Sequence, residues 1–394
     1  MFKAAVQLVE QGWHFLRRRH SSSGFHRFEG TVEEVLRQIV MANWNGTYLS
    51  CGTGNHTIVY VRDVAISAEA LIQTGFCDQV RQTLLYMIDA FRRAGKITTT
   101  VNQHGQAYDA FEYGSDSLAY VMRMIRLTDS YDLVHKDADL FRRAVERYRR
   151  LVIDPGTGLV RHDRSFSTQK DFHTRRGCAY DNVCLLLLRD ELRSAREAGV
   201  DLPDPFRKFG DLTARFVDQF WTGSYFRDTL RGAPYVASDA NLCPYFFGVI
   251  DDNEMAYSSI RAIQHAKLDT PIPVSYTRVR IRRTENPVLR FLSPNYQGNS
   301  GWTLLSGIYL TVLARFDHPD TDRVARFFYD LIDRERTCLE LYDPKGKPYK
   351  TWGYRTDEAM LWSAMLYAQL QNQGMLEQPT AAPAYTVTVT GSAS

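Results

Sequence analysis

The sequence has no run approaching the ~18 consecutive apolar residues of a membrane-crossing helix, so no membrane segment is expected. It has no excess of charge of either sign. Its 48 Lys and Arg stand against 45 Asp and Glu, a net +3 over 394 residues. A dedicated nucleic-acid binder gathers a basic face, so nucleic acid is not an expected partner. Cysteine is scarce, with six in all, at 51, 77, 178, 184, 243 and 338. None forms Cys-x-x-Cys and none stands beside His at zinc spacing, which leaves no metal site to expect. They read as reduced thiols in a cytoplasmic protein. There is no Gly-x-Gly-x-x-Gly between a strand and a helix, so no dinucleotide and no other cofactor is expected.

What is present is helical periodicity almost throughout. Met1 to Arg19 is amphipathic and reads as a first helix. Thr31 to Glu34 fits a capping box ahead of an apolar face of Val32, Val35, Leu36, Ile39 and Val40. Ile58 to Asp63 runs into a helix that Gly75 ends. Further helices are expected over about 78–93, from Leu118, at 138–151, 181–197, 205–221, 242–251, 254–267, 301–316, 321–337 and 356–371. Thr270 to Asn295, with alternating Val274, Tyr276, Val279 and Ile281, reads as a strand pair. Residues 380–394 are rich in Ala, Thr and Ser and read as a flexible tail. About twelve helices alternate between short turns and long polar loops. Paired helices with loops gathered at one end suggest an all-α, (α/α)6 toroid as one domain over 1–379.

The polar loops carry the chemistry-bearing residues. Asp181 stands where a loop becomes the apolar helix Val183 to Leu188. It reads as a helix cap or as a proton donor facing a cavity. Asp63 is a charge at a helix start or a ligand for sugar hydroxyls. Glu340 is a solvated turn residue or a second catalytic carboxylate. Asp116 and Asp239 read as caps, and Glu112 as a site candidate. Tyr60 and Trp302 are core rings or sugar platforms. Arg62, His173, Arg175, Arg176, Lys350 and Arg355 share these loops and form a solvated rim or a fork for a substrate carboxylate.

Four segments, taken in order, resemble the six-hairpin glycosidases, glycoside hydrolase family 63 and its trehalase-like relatives above all. Tyr60-Val-Arg-Asp63 is similar to their aromatic-x-Asp motif. Gly177-Cys-Ala-Tyr-Asp-Asn182 is similar to the Ser-Gly-x-Asp-Asn-Ser motif that holds the general acid. Tyr296-Gln-Gly-Asn-Ser-Gly-Trp302 is similar to Tyr-Arg-Gly-Pro-x-Trp. Glu340-Leu-Tyr-Asp-Pro344 is similar to the Glu-x-Tyr-x-Pro segment that holds the general base. The chain departs from these patterns at Cys178, Gln297 and Asn299.

The resemblance implies an inverting exo-glycosidase for a small α-glucoside or α-mannoside, with Asp181 as acid and Glu340 as base. Inversion sets such a pair ~6.5–9.5 Å apart. Tyr60, Arg62, Asp63, Glu112, Tyr180, Gln297, Trp302, Arg175 and Arg176 are the expected substrate-binding residues. Some family members act on glycosylglycerates, so an anionic group on the substrate is a further expectation. The alternatives are a non-catalytic sugar-binding or scaffold protein of the same fold, and a sugar epimerase or unsaturated-uronide hydrolase. Oligomeric state is not legible.

Overall fold

A computed structural model of the chain describes residues 24–110, 112–279 and 284–376. The helix expected over Met1 to Arg19 and the tail expected over 380–394 lie outside the described residues. In chain order the elements begin with α1 (Val32–Ala42), β1 (Val59–Tyr60), α2 (Val61–Gln73) and α3 (Cys77–Ala94). Next come β2 (Thr100–Val101), β3 (Ala107–Tyr108), α4 (Ser117–Leu127), α5 (Tyr131–Lys136) and α6 (Ala138–Leu151). Then follow α7 (Ala179–Glu197), α8 (Leu212–Phe220), α9 (Ser238–Phe246), α10 (Asn253–His265) and α11 (Pro287–Leu292). The last are β4 (Gly301–Trp302), α12 (Thr303–Arg315), α13 (Thr321–Glu335), β5 (Leu341–Tyr342) and α14 (Ser363–Asn372).

Six helices pack in a closed circle: α2 on α4, α4 on α7, α7 on α9, α9 on α12, α12 on α14, and α14 on α2. The others lie outside it. α1 packs on α13 and α14, α3 on α2 and α4, α6 on α4, α8 on α7, α10 on α9, and α13 on α12 and α14. Sequence decides which helix goes where. Every residue of α9 is buried, as are Thr303 to Leu310 of α12 and Ser363 to Leu370 of α14. A helix that buries nearly all its faces needs neighbours on all sides. α6 buries only Leu140, Phe141, Ala144, Val145 and Tyr148, and its other faces carry five arginines to the surface. That single stripe fits an outer position.

The Thr31 capping box forms as expected, with Glu34 Oε2 accepting from Thr31 N–H at 2.7 Å and Thr31 Oγ1 from Glu34 N–H at 3.3 Å. Three expectations are corrected. α8 begins at Leu212 rather than 205, because Gly210 turns left-handed (φ +67°) and Asp211 caps the Ala214 N–H at 2.9 Å. No strand pair forms in the described part of 270–295. Pro271 and Pro273 remove ladder donors, Tyr276 C=O instead accepts from Ser238 N–H, and the segment closes in α11. α14 starts at Ser363, seven residues later than the periodicity predicts. Among the described residues no helix is long and apolar enough to cross a membrane.

Two small antiparallel sheets position the loops. β1 pairs with β2 and β2 with β3, with Tyr60 opposite Thr100. β4 pairs with β5, with Trp302 opposite Leu341, which brings two distant motifs side by side. Gly301 is required there: a Cβ would stand 2.5 Å from the Pro273 carbonyl oxygen.

Candidate active site

The first turns of the inner helices meet at one end of the circle, and a cavity of about 310 Å³ opens among them. α2 delivers Arg62 and Asp63 to it, α4 Asp116 and Ser117, and the start of α12 Trp302 and Leu304. Long loops deliver the rest. His56 comes from the loop before β1, Gln169 and Asp171 from the loop before α7, Tyr296 and Gln297 from the loop before β4, and Glu340 and Tyr354 from the segments around β5.

Glu340 is almost wholly buried, with 1% of its surface exposed, and it is held from three directions. Tyr296 donates its phenol to Oε1, Tyr354 donates to Oε2 at 2.5 Å, and the Asp357 N–H donates to Oε2 at 3.0 Å. Both phenols are pushed well above the ordinary tyrosine range, first by burial and then by the carboxylate they serve, so they remain donors. His56 Nε2 stands 3.5 Å from Oε1. Burial works against a charge on His56, but Glu340, Asp357 and Asp63 outweigh it and raise its pKa to about 9. Three hydrogen bonds and the His56 contact thus surround the carboxylate.

Across the floor, Arg62 is clamped between two carboxylates. Its Nε is 2.6 Å from Asp116 Oδ2, and a terminal nitrogen is 3.3 Å from Asp171 Oδ2. Asp171 Oδ1 accepts from Ser167 Oγ and Thr168 N–H, each at 3.1 Å. Burial raises the Asp171 pKa despite Arg62, and 23% of its side chain remains exposed. Asp63 is raised to about 6, again chiefly by burial, with Arg62 and His56 opposing. Burial likewise works against the charge of Arg62, but Asp116 and Asp171 more than compensate, so it stays a cation. Trp302 donates its indole N–H to the Tyr296 carbonyl at 2.6 Å, and Tyr60 meets the His56 ring edge-on at 5.5 Å.

Of the residues singled out from sequence, Tyr60, Arg62, Asp63, Asp116, Gln297, Trp302 and Glu340 line this cavity, and the Asp116 side chain, expected as a cap, makes no cap hydrogen bond and pairs with Arg62 instead. Gln297 does so with both ends of its amide engaged, donating to Gln169 C=O at 3.0 Å and accepting from Phe172 N–H at 2.8 Å. It ties two loops together. Asp181 does not line the cavity. It is fully buried, with Oδ1 taking the Ser115 hydroxyl at 2.7 Å and Oδ2 the Cys178 thiol at 3.1 Å. Tyr180 is also fully buried and donates to Asp116 Oδ2 at 2.9 Å, beneath the floor.

Arg175 is no substrate fork. It is buried, 2.6 Å from Asp228 Oδ1 and 2.7 Å from Asp239 Oδ2, and it donates to Thr168 Oγ1 at 2.9 Å. Lys170 Nζ adds a contact of 3.7 Å to Asp228 Oδ2. Burial alone would raise Asp228, but Arg175 and Lys170 hold it well below the usual carboxylate range. Asp239, expected as a cap, is therefore an ion-pair partner in the first turn of α9. Glu112 is exposed and accepts from Ser165 at 3.1 Å, outside the cavity. Arg176 and Lys350 are exposed and away from the lining, and Arg355 lies over the Phe25 ring at 4.3 Å. The basic loops therefore place no open guanidinium fork on the cavity.

Sequence reading missed Asp171, His56, Gln169, Tyr296 and Tyr354 as site residues. Asp171 carried a signal, an acid in the long polar loop before α7. Tyr296 opened a motif quoted above, whereas Tyr354 carried no signal among 22 tyrosines. A larger cleft of about 410 Å³ between α3, α4 and α6 is lined by Lys96, Arg143, Arg147 and Arg150. Its one carboxylate, Glu146, is 2.9 Å from Arg149, so it holds no acid–base pair.

The sequence matches no protein-family model and no curated protein. Solved structures do match. A glycosidase in complex with glucose superposes with a TM-score of 0.66 at 15% identity, over 88% of this chain and 98% of that one. A rhamnosidase from Klebsiella oxytoca with rhamnose bound gives 0.58 at 13%, over 91% and 65%. A glycoside hydrolase family 63 mannosylglycerate hydrolase from Thermus thermophilus in complex with glucose gives 0.55 at 13%, over 87% and 100%. At the level of fold, the resemblance to the six-hairpin glycosidases holds, and the structural neighbours of this chain are glycosidases.

Proposed function

We propose that the closed circle is the inner ring of an (α/α)6 toroid and that the chain is an inverting glycoside hydrolase acting on a small carbohydrate. Glu340 serves as general base and Asp171 as general acid. The observation that carries the reading is the setting of Glu340, a buried carboxylate on a cavity wall with two phenols and a backbone N–H fixing it. Fixed in this way on the cavity wall, it suits the activation of a water that attacks the anomeric carbon. Asp171 replaces Asp181 as acid because a proton donor must reach the leaving oxygen. Asp171 lines the cavity with a raised pKa, whereas Asp181 is sealed behind the wall. Asp63 and the Gln169 amide, whose Nε2 has no hydrogen-bond partner, supply groups for sugar hydroxyls. An α-glucoside or α-mannoside is the expected sugar. An anionic aglycone is not part of this proposal, since Arg62, the cation of the basic set that lines the cavity, is already clamped.

A panel of α-glucosides, α-mannosides and α-rhamnosides, followed by NMR of the first-formed anomer, tests the reading. Turnover with inverted configuration is expected, and Glu340→Gln should reduce it by ~10²–10⁴-fold in a protein that still folds. Net retention, or a fully active Glu340→Gln, defeats it. The burial of Asp181 favours one second reading, a non-catalytic sugar-binding protein. Saturable sugar binding without hydrolysis of any substrate would select it.

A further inference from the structure

Six large hydrophobic side chains stand exposed among the described residues, and two of them, Phe291 and Trp352, are chain neighbours of residues that line the cavity. Phe291 is 72% and Trp352 60% exposed, yet their rings meet at 5.9 Å. Both are anchored by residues that line the cavity. Leu289, Leu292 and Ser293 of the α11 segment face inward, and so do Gly353 and Tyr354 beside Trp352.

The two supports are joined. Gly353 N–H donates to the Leu292 carbonyl at 3.2 Å, and Thr351 Oγ1 donates to the same oxygen at 2.7 Å. A Cβ at position 353 would stand 2.9 Å from Leu292 Cβ, so the loop can lie this close only as glycine. On the other flank Asn286 N–H donates to Phe172 C=O at 2.8 Å, and Phe172 stacks on Tyr296 at 4.5 Å. The exposed rings therefore stand on a braced rim continuous with the wall that carries Glu340. Exposed aromatic surface next to a polar cavity is a hallmark of a recognition site.

We propose that Phe291 and Trp352 form a leaving-group subsite, one that accepts an aglycone with a flat apolar face. An aryl ring or the C–H face of a second pyranose presents such a surface. The inference rests on the glycoside hydrolase reading. It assigns the sugar that is cleaved to the polar floor, and its leaving group to the rim.

The test compares 4-nitrophenyl, methyl and disaccharide forms of the same α-glycosides on the wild type and on Phe291→Ala/Trp352→Ala. Both positions are exposed, so the double variant is expected to fold. The expected result is a KM at least ~10-fold lower for the aryl or the disaccharide form than for the methyl form, with the advantage lost in the double variant. Which form gains identifies the source of the apolar face. An advantage below about twofold, or one that survives the double variant, overturns the proposal while leaving hydrolysis intact. If no glycoside is hydrolysed, the enzymatic reading fails, and saturation-transfer NMR decides the subsite alone. Aryl signals saturated by the wild type and not by the double variant sustain it. Aryl signals equal in both, or absent from both, overturn it.

Discussion

Asp63 and Asp181 occupy the same place in two inner helices, the third residue of α2 and of α7. Each has a cysteine close by, Cys51 beside Asp63 and Cys178, whose thiol donates to Oδ2 at 3.1 Å, beside Asp181. Burial raises both to about 6. Yet Asp63 faces the cavity and Asp181 is sealed from it. The difference lies in what stands in front of them. On the α7–α9 side, Lys170, Arg175, Asp228 and Asp239 fill the space with a buried ion cluster. On the α2–α12–α14 side, the same depth is left open, lined by Glu340 and its tyrosines. One half of the end uses its charges to hold loops together, and the other keeps them facing a void. Position within a helix, then, does not decide whether an acid can act.

The sharpest way to break this comparison is to neutralise the acid on each side. Asp171→Asn should lower kcat by at least ~100-fold, while Asp181→Asn, behind the wall, should retain kcat within about fivefold. Rates measured on any turned-over glycoside check this, and the reverse ranking would return the acid role to Asp181. Next in size is the ion cluster. Arg175→Met leaves Asp228 and Asp239 buried without their main counter-charge, which should cost about 3–5 kcal/mol in urea unfolding. A loss as small as that of an exposed ion pair would mean the cluster does not brace the sealed half.

How much of this was legible in the sequence follows from what each residue depends on. Thr31 and Glu34 are three apart, and their geometry is local, so the cap could be read directly. Glu340, Asp63 and Trp302 lay in recognisable motifs, and the structure sets all three on one cavity. Asp181 lay in an equally good motif. Its fate depends on Ser115, 66 positions away, and on a cluster in front of it drawn from Lys170, Arg175, Asp228 and Asp239. No local pattern encodes such a meeting. Helix identity was likewise legible from period, whereas the starts of α8 and α14 were not. Gly210 and Asp211 set the first by backbone conformation and capping.

Smaller effects should appear in pH profiles. His56 carries a pKa of about 9 in the fold against an ordinary 6.5. Its contribution to stability is full below 6.5 and is lost as pH rises through about 9. The proposed reaction should fall off only as pH rises through about 9, where His56 loses its proton in the fold, and His56→Asn should remove that alkaline limb from kcat/KM. Asp63 and Asp181 shift the opposite way to a salt-bridged acid. Raised from 3.8 to about 6, they hold protons in the folded state that the unfolded chain has released. Stability should therefore decline as pH rises from about 4 to 6. Asp181→Asn should remove a share of that decline, read as a flatter Tm-against-pH curve.

α2, α4 and α12 begin at the cavity, and each helix start carries the equivalent of roughly half a positive charge. Together they bring roughly one and a half positive charges' worth of field to the cavity floor. A glycosyl carbon that becomes cationic in the transition state would be repelled by that field. Asp63, Asp116, Asp171 and Glu340 all face the cavity, while Arg62 and His56 add to the positive side. The number of acids then has a purpose apart from proton transfer. They oppose the potential that the architecture itself imposes, so under the proposed chemistry an acid that transfers no proton still lowers the barrier.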